Sequence, residues 1–136
     1  MMTREADYAI RTMVCLAAGP EAGAISSAAL ARRARIPYRF LRKIVGKLAA
    51  AGLIETQRGR QGGIRLLESP SRISVLRIVT TVDPKGTRIN ACTSSGGCLR
   101  RLECPTYPPL RRLQERLDRG LAKLTLDKFV GGRSVK

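Results

Sequence analysis

Histidine and tryptophan are missing from this 136-residue chain, and aromatic residues make up only 4% of it. Without histidine there is no Ser-His-Asp or Cys-His relay, and no zinc site that depends on an imidazole. No P-loop or paired-carboxylate motif is present either, so the chain reads as a non-enzyme. No apolar run approaches the roughly eighteen residues that a membrane span needs. The N-terminal residues lack a long apolar stretch of the secretory kind, and Glu5 and Asp7 sit among them. The expectation is a cytoplasmic protein with no membrane partner.

Acidic residues are also scarce. Ten Asp and Glu stand against 26 Lys and Arg, for a net charge of +16. Such a balance points to an anionic partner rather than to a fold. The basic residues crowd between Arg32 and Arg65, where Glu55 is the sole acid. Four cysteines are present, three of them evenly spaced at Cys92, Cys98 and Cys104, with Cys15 apart. In a chain read as cytoplasmic, a group of this kind suits a metal or redox site better than a disulfide framework.

Thr3 can cap a first helix whose opening turn holds Glu5 and Asp7, where they complement the helix dipole. Ile10, Met13, Val14 and Ala17 repeat at helical spacing and predict its buried face. Cys15 lies within it as a buried free thiol, and Gly19-Pro20 ends it. Ser26 can cap a short second helix ending near Arg35, with Ile25 stapled onto Leu30. Pro37 suits the first turn of a third helix, whose apolar face is Leu41, Ile44, Val45 and Leu48 and whose stop is Gly52. Residues 53–57 and 64–67 suit strands around the charged, glycine-rich turn 58–63, which makes a β-hairpin.

Two helices joined by a tight turn and followed by a hairpin have the organisation of a winged helix-turn-helix. Ser74 can cap a fourth helix carrying Val75, Leu76, Ile78, Val79 and Val82, and Asp83-Pro84 ends it. Residues 85–104 form a loop that holds the three cysteines. After Pro108-Pro109 a long helix carries Leu110, Leu113, Leu117, Leu121 and Leu124 in a near-heptad stripe, the pattern of a helix that pairs with its own copy. The chain thus divides into a winged helix-turn-helix domain with the fourth helix (1–83), a cysteine-bearing loop (84–105), a dimerisation helix with a short C-terminal helix (106–130) and a tail (131–136). The fold class is mainly α with a small β-hairpin.

On the third helix, Arg39, Arg42, Lys43 and Gly46 fall on the face opposite the leucine stripe, so one side can pack while the other meets a groove. Tyr38 and Arg39 occupy the first turn, the part of a recognition helix that reaches base edges, and Arg pairs with phosphate and guanine. In the wing, Arg58, Arg60 and Gln61 are candidates for the minor groove, where arginine is attracted to narrowed stretches. The C-x5-C-x5-C spacing lacks the C-x2-C pairs of zinc ribbons. Three thiolates on one loop suit an iron–sulfur cluster or, equally, a set of reduced surface thiols. Arg100 and Arg101 would favour thiolates.

The motifs Asp7-Tyr8-Ala9-Ile10-Arg11, Ile36-Pro37-Tyr38-Arg39-Phe40-Leu41, Leu48-Ala49-Ala50-Ala51-Gly52-Leu53-Ile54 and Arg58-Gly59-Arg60-Gln61-Gly62-Gly63, followed by the triple cysteine, resemble the Rrf2 family of winged-helix regulators. The resemblance runs from about residue 2 to about residue 130. It implies a homodimer that binds double-stranded operator DNA, usually as a repressor, with 110–126 as the dimerisation helix and Arg58 as the wing arginine. It also implies a [2Fe-2S] or [4Fe-4S] cluster on Cys92, Cys98 and Cys104, through which iron supply, nitric oxide or redox state is sensed.

Two departures matter. IscR-like members carry a ligand histidine where this chain has Tyr107. NsrR-like members use an aspartate from the partner subunit, and Asp7 stands in that place, so the resemblance names Asp7 as fourth ligand; as a residue it is equally a dipole partner at the start of its helix. Arg42 replaces the acid that helps IscR-like members select sites, so a different operator is expected. Two alternatives remain: the same fold with a cluster-free thiol or zinc switch, and a structural RNA-binding protein.

Overall fold

The computed structural model describes residues 2–19, 23–60, 62–94 and 98–130. Pro20, Gln61 and the tail (131–136), all named above, lie outside the described residues. The order of elements is α1 (Arg4–Ala17), α2 (Ser27–Ala34), α3 (Tyr38–Ala50), β1 (Ile54–Gln57), β2 (Gly63–Leu66), α4 (Val75–Val82), α5 (Tyr107–Lys123) and α6 (Asp127–Val130), with short 3-10 turns at Pro70–Arg72 and Ala91–Thr93.

The expected caps form. The hydroxyls of Thr3, Ser26 and Ser74 accept from the backbone N–H groups of Ala6, Ala29 and Arg77, each at 3.2 Å. Each satisfies a donor that the first helical turn leaves orphaned. Pro37 sits one residue earlier than expected, as the N-cap of α3, and its carbonyl accepts from Phe40 and Leu41. The end of α3 is a Schellman motif: Leu53 N–H donates to the Leu48 carbonyl and Gly52 N–H to the Ala49 carbonyl. Gly52 takes the left-handed conformation this requires, at φ 78°. The turn between α2 and α3 is made instead by Arg35 at φ 55°, where no glycine or asparagine announces it.

Met13, Leu30, Leu41, Ile44, Leu48, Leu53, Ile54, Ile64, Ile73, Ile78 and Leu126 form the fully buried core. Each large side chain so buried stabilises the fold by about 1.5–3 kcal/mol before entropy is counted. The buried face of α1 is centred on Ala6, Ala9, Thr12 and Met13. Ile10, Val14 and Ala17 are half-buried at its margin, a rotation from the expected stripe. The reason is that α1 packs on α4, where Ala6 meets Val75 and Val79 and two small residues permit close approach. Cys15 is half-buried rather than buried, against the edge of the core.

The hairpin pairs Ile54 with Leu66, Glu55 with Arg65, Thr56 with Ile64 and Gln57 with Gly63. Ile25, expected as a staple onto Leu30, packs against the core that holds Leu30 and also gives the sheet a one-residue third strand, exchanging hydrogen bonds with Ile64 at 3.0 and 2.7 Å. The wing is thereby tied to the segment entering α2. Arg77 and Glu68 close its far end through two bonds of 2.7 and 2.8 Å.

The long helix differs from expectation at both ends. It starts at Tyr107, with both prolines in its first turn, where a missing N–H costs nothing. It stops at Lys123 because residues 124–126 run alongside 73–75: Val75 N–H donates to the Leu124 carbonyl and Leu126 N–H to that of Ile73. Leu124 is therefore the C-cap and not the last member of a helical stripe.

Candidate nucleic-acid interface and cysteine segment

The four apolar residues of α3 turn inward and leave Tyr38, Arg39, Arg42, Lys43 and Gly46 exposed on the other side. Tyr38 is 51% exposed, large for an aromatic residue. The Arg39 guanidinium lies 4.9 Å from the centre of the Phe40 ring. That ring lies 6.0 Å from Tyr8, and Arg11 stacks on Tyr8 at 4.9 Å. A cation–aromatic stack thus joins the first turn of α3 to α1. Tyr8 and Phe40 stood in recognised motifs, but neither was assigned a role; their offset on separate helices hid the contact.

The basic residues of α3 divide by partner. Lys47 donates to Glu5 at 2.6 Å and to the Val82 carbonyl at 3.1 Å, so it clamps α3 to α1 and α4. Lys43 lies 3.9 Å from the same carboxylate and remains mostly exposed. Arg39 and Arg42 project from the helix into solvent. Arg58 and Arg60 are exposed at the tip of the wing, around Gly59 at φ 106°. Beyond the expected set, Arg32, Arg33 and Arg35 at the end of α2 are exposed as well. The arrangement presents two cationic surfaces, helix and hairpin, on one rigid support, which is the geometry needed to engage a groove and its flanking phosphates.

The three spaced cysteines are free thiols. Cys92 is half-buried in the Ala91–Thr93 turn, Cys98 is exposed and Cys104 is half-buried just before α5. The Cys104 sulfur lies 3.0 Å from the Thr106 hydroxyl. That hydrogen bond, helped by the backbone N–H groups of Thr106 and Tyr107, holds the Cys104 thiol below the ordinary thiol range. Burial raises the Cys15 thiol, with Arg33 and Arg11 opposing. Cys15 is thus the less reactive thiol.

Among the described residues, no three His, Cys, Asp or Glu side chains converge as ligands for a metal ion. The donors nonetheless fit a cluster chemically: three soft sulfurs on one segment, none spent in a disulfide. Asp7 fits less readily. Its carboxylate accepts from Arg11 at 2.8 and 3.1 Å, and Arg11 donates further to the Ala34 and Arg35 carbonyls. Both bonds fall on Oδ2, so ligation through Asp7 would use Oδ1 beside the Arg11 charge or displace Arg11 from Oδ2. Tyr107 opens α5 and lines a cavity of about 430 Å³ with Arg88, Cys92, Arg101, Arg111 and Gln114.

One side of α5 is open to solvent, with Leu113 51% and Leu117 40% exposed. Leu121 packs at the edge of Ala6, Val75 and Val79. Gln114 is the one buried residue of α5, and sequence reasoning missed it. No helix among the described residues is long and apolar enough to cross a membrane.

Comparison with known proteins accords with this architecture. The chain is 30% identical over 134 residues to the HTH-type transcriptional regulator IscR of Escherichia coli O1:K1, covering 98% of this chain and 82% of that protein. The fold resembles CymR, the global cysteine regulator of Bacillus subtilis, with a TM-score of 0.81 at 21% identity over 96% of both chains. It also resembles the IscR of T. potens, with a TM-score of 0.78 at 21% identity over 96% of this chain and 86% of that one. The family whose description is iron-dependent transcriptional regulator, Rrf2, matches residues 2–132. This chain belongs to the Rrf2 family of transcriptional regulators.

Proposed function

We propose that the chain is a homodimeric repressor that docks α3 in the major groove of operator DNA, sets its wing in the adjacent minor groove, and adjusts this binding through an iron–sulfur cluster on Cys92, Cys98 and Cys104. The observation that carries the DNA-binding half is the division of α3. Leu41, Ile44, Val45 and Leu48 are buried while Tyr38, Arg39, Arg42 and Lys43 are exposed, and Arg58 and Arg60 flank them on the hairpin. Arg39 and Arg42 supply the forked donors that pair with guanine or phosphate, Tyr38 the apolar and hydroxyl contact at the helix start, and Arg58 the minor-groove contact, with Arg60 and Gln61 beside it.

The exposed Leu113 and Leu117 support pairing of α5 with its copy. Such a dimer would present two recognition helices to half-sites about one helical turn, roughly 34 Å, apart. The three free thiols support the sensory half. A bound cluster would supply redox and nitric-oxide chemistry that side chains lack. The protein's own contribution is the Thr106 hydroxyl and the backbone N–H groups beside the Cys104 sulfur, which favour its ionised form, and the bonds that tie the Cys92 turn to α5. Asp7 of the partner subunit is the proposed fourth ligand.

A duplex-binding titration, with folded RNA as competitor, tests the first half. Tight duplex binding that RNA fails to displace, and that Arg39→Ala and Arg42→Ala weaken, is expected. Preferential RNA binding would replace the repressor with an RNA-binding protein. A second reading of the sensory half, thiol oxidation or zinc without a cluster, is supported by the three free thiols, of which Cys98 is exposed. Iron and sulfide absent from anaerobic protein, with DNA affinity that responds to peroxide, would establish it.

A further inference from the structure

A buried glutamine on an otherwise solvent-facing helix needs a reason. Gln114 is 3% exposed, and each polar site of its side-chain amide faces a partner. Its oxygen accepts from Ile89 N–H at 2.8 Å and lies 3.1 Å from the Thr93 hydroxyl, whose one proton it shares with the Asn90 carbonyl at 2.9 Å. Its nitrogen donates to the Thr87 carbonyl at 2.8 Å and to Asp118 at 2.9 Å. A side-chain amide has two acceptor sites and two donors, so none of the four is left facing apolar surroundings. The orientation is unambiguous, because Ile89 N–H can only donate and the Thr87 carbonyl can only accept.

The network continues outward. Both oxygens of Asp118 accept from Arg88 at 2.8 Å, and Arg88 donates to the Thr93 carbonyl at 3.3 Å. Asn90 and Thr93 cap each other across the turn that holds Cys92. The backbone on both sides of Cys92 is therefore fastened to two residues one turn apart on α5. Leu113 and Leu117, on the same turns of that helix, are exposed.

We propose that Gln114, with Asp118, is a positioning residue: a polar latch that seats the Cys92 turn on α5 and couples events at that thiol to the helix bearing the exposed leucines. Its role as part of a sensor rests on the reading of the cysteines given above. The latch itself is testable without any cluster. Gln114→Met keeps the length and packing of the side chain and removes all four hydrogen bonds. Asp118→Asn is the milder variant, which removes the charge partner of Arg88 and leaves the other bonds of Gln114.

The measurement is the rate at which iodoacetamide alkylates each cysteine of the metal-free full-length protein, read by peptide mass spectrometry. Loss of a buried bonding network predicts that Cys92 reacts about tenfold faster or more in Gln114→Met. A smaller acceleration is expected in Asp118→Asn. Cys98, already exposed, and Cys15, half-buried at the edge of the winged domain's core, should keep their wild-type rates. Unchanged Cys92 rates in both variants overturn the latch. Equal acceleration of Cys15 and Cys92 in both variants also overturns it, since that reports a general loss of fold. If Cys92 alone accelerates while the wild type takes up no iron and sulfide on reconstitution, the latch stands and the cluster reading falls.

Discussion

Replacing Arg58 with alanine tests the wing directly, and its effect can be sized from the exposed charges. Arg39, Arg42, Arg58 and Arg60 are exposed cations on the helix and hairpin, whereas Lys43 is partly offset by Glu5 and Lys47 is committed to Glu5 and Val82. Four such contacts per protomer would give about eight in the proposed dimer, and a slope of log affinity against log salt near −7. Wild-type affinity for any duplex should then fall about ten-thousandfold between roughly 50 and 200 mM salt.

Arg58→Ala removes two contacts per dimer and moves the slope by about 1.8 toward zero. The wild-type advantage over the variant should therefore shrink about tenfold across the same salt range. Fluorescence anisotropy of a labelled duplex of random sequence, repeated at several salt concentrations, reads both slopes. Arg111→Ala is the control, since Arg111 lies on α5 and pairs with Glu115 at 3.1 Å. A slope that Arg58→Ala leaves unchanged, or that Arg111→Ala shifts equally, would refute the assignment of the wing to DNA.

Three further outcomes are expected. Gly63→Ala should cost about 2 kcal/mol, read as a lower Tm, because Gly63 sits at φ +143° and an added Cβ would lie 2.6 Å from the Ile25 carbonyl oxygen; a Tm equal to wild type would count against the Ile25–Ile64 bridge as a rigid tie. Asp7→Ala should lower Tm only slightly, since an exposed pair with Arg11 is worth about 1 kcal/mol or less, yet should reduce the iron retained after anaerobic reconstitution; full retention would remove Asp7 as a ligand. Arg77 holds the Glu68 carboxyl below the ordinary carboxylate range, chiefly by hydrogen bonding. Because the folded pKa is depressed, this pair stabilises the fold above the ordinary carboxylate range and the benefit is lost as pH falls through the depressed value. The Tm gap between wild type and Arg77→Gln should thus be present at neutral pH and close in acid; a gap independent of pH would contradict the pairing.

The starts of α1, α2 and α4 were legible because capping is local chemistry: Thr3, Ser26 and Ser74 each reach an N–H within their own first turn. The division of α3 was legible because a 3.6-residue period separates Leu41 and Ile44 from Arg39 and Arg42. Features set by distant segments were not. The stop of α5 at Lys123 depends on residues 73–75 pairing with 124–126. The role of Ile25 depends on Ile64, some forty residues on. The shift of the α1 face depends on α4. Gln114 was invisible for the same reason: between Leu113 and Glu115 it looks like any polar residue of an amphipathic helix, and only the return of residues 87–93 buries it. The cysteines were legible as a group by spacing alone, but spacing carries no information on whether three sulfurs converge.

The central claim is that Cys92, Cys98 and Cys104 govern DNA binding by this winged helix through an iron–sulfur cluster. The most direct measurement is duplex affinity of anaerobically reconstituted protein, with iron and sulfide quantified on the same sample, before and after the cluster is removed. The account predicts matched iron and sulfide that depend on all three cysteines, and an affinity that changes when they are lost. Protein that binds the duplex with the same affinity in both states, or that takes up no iron and sulfide, would contradict it.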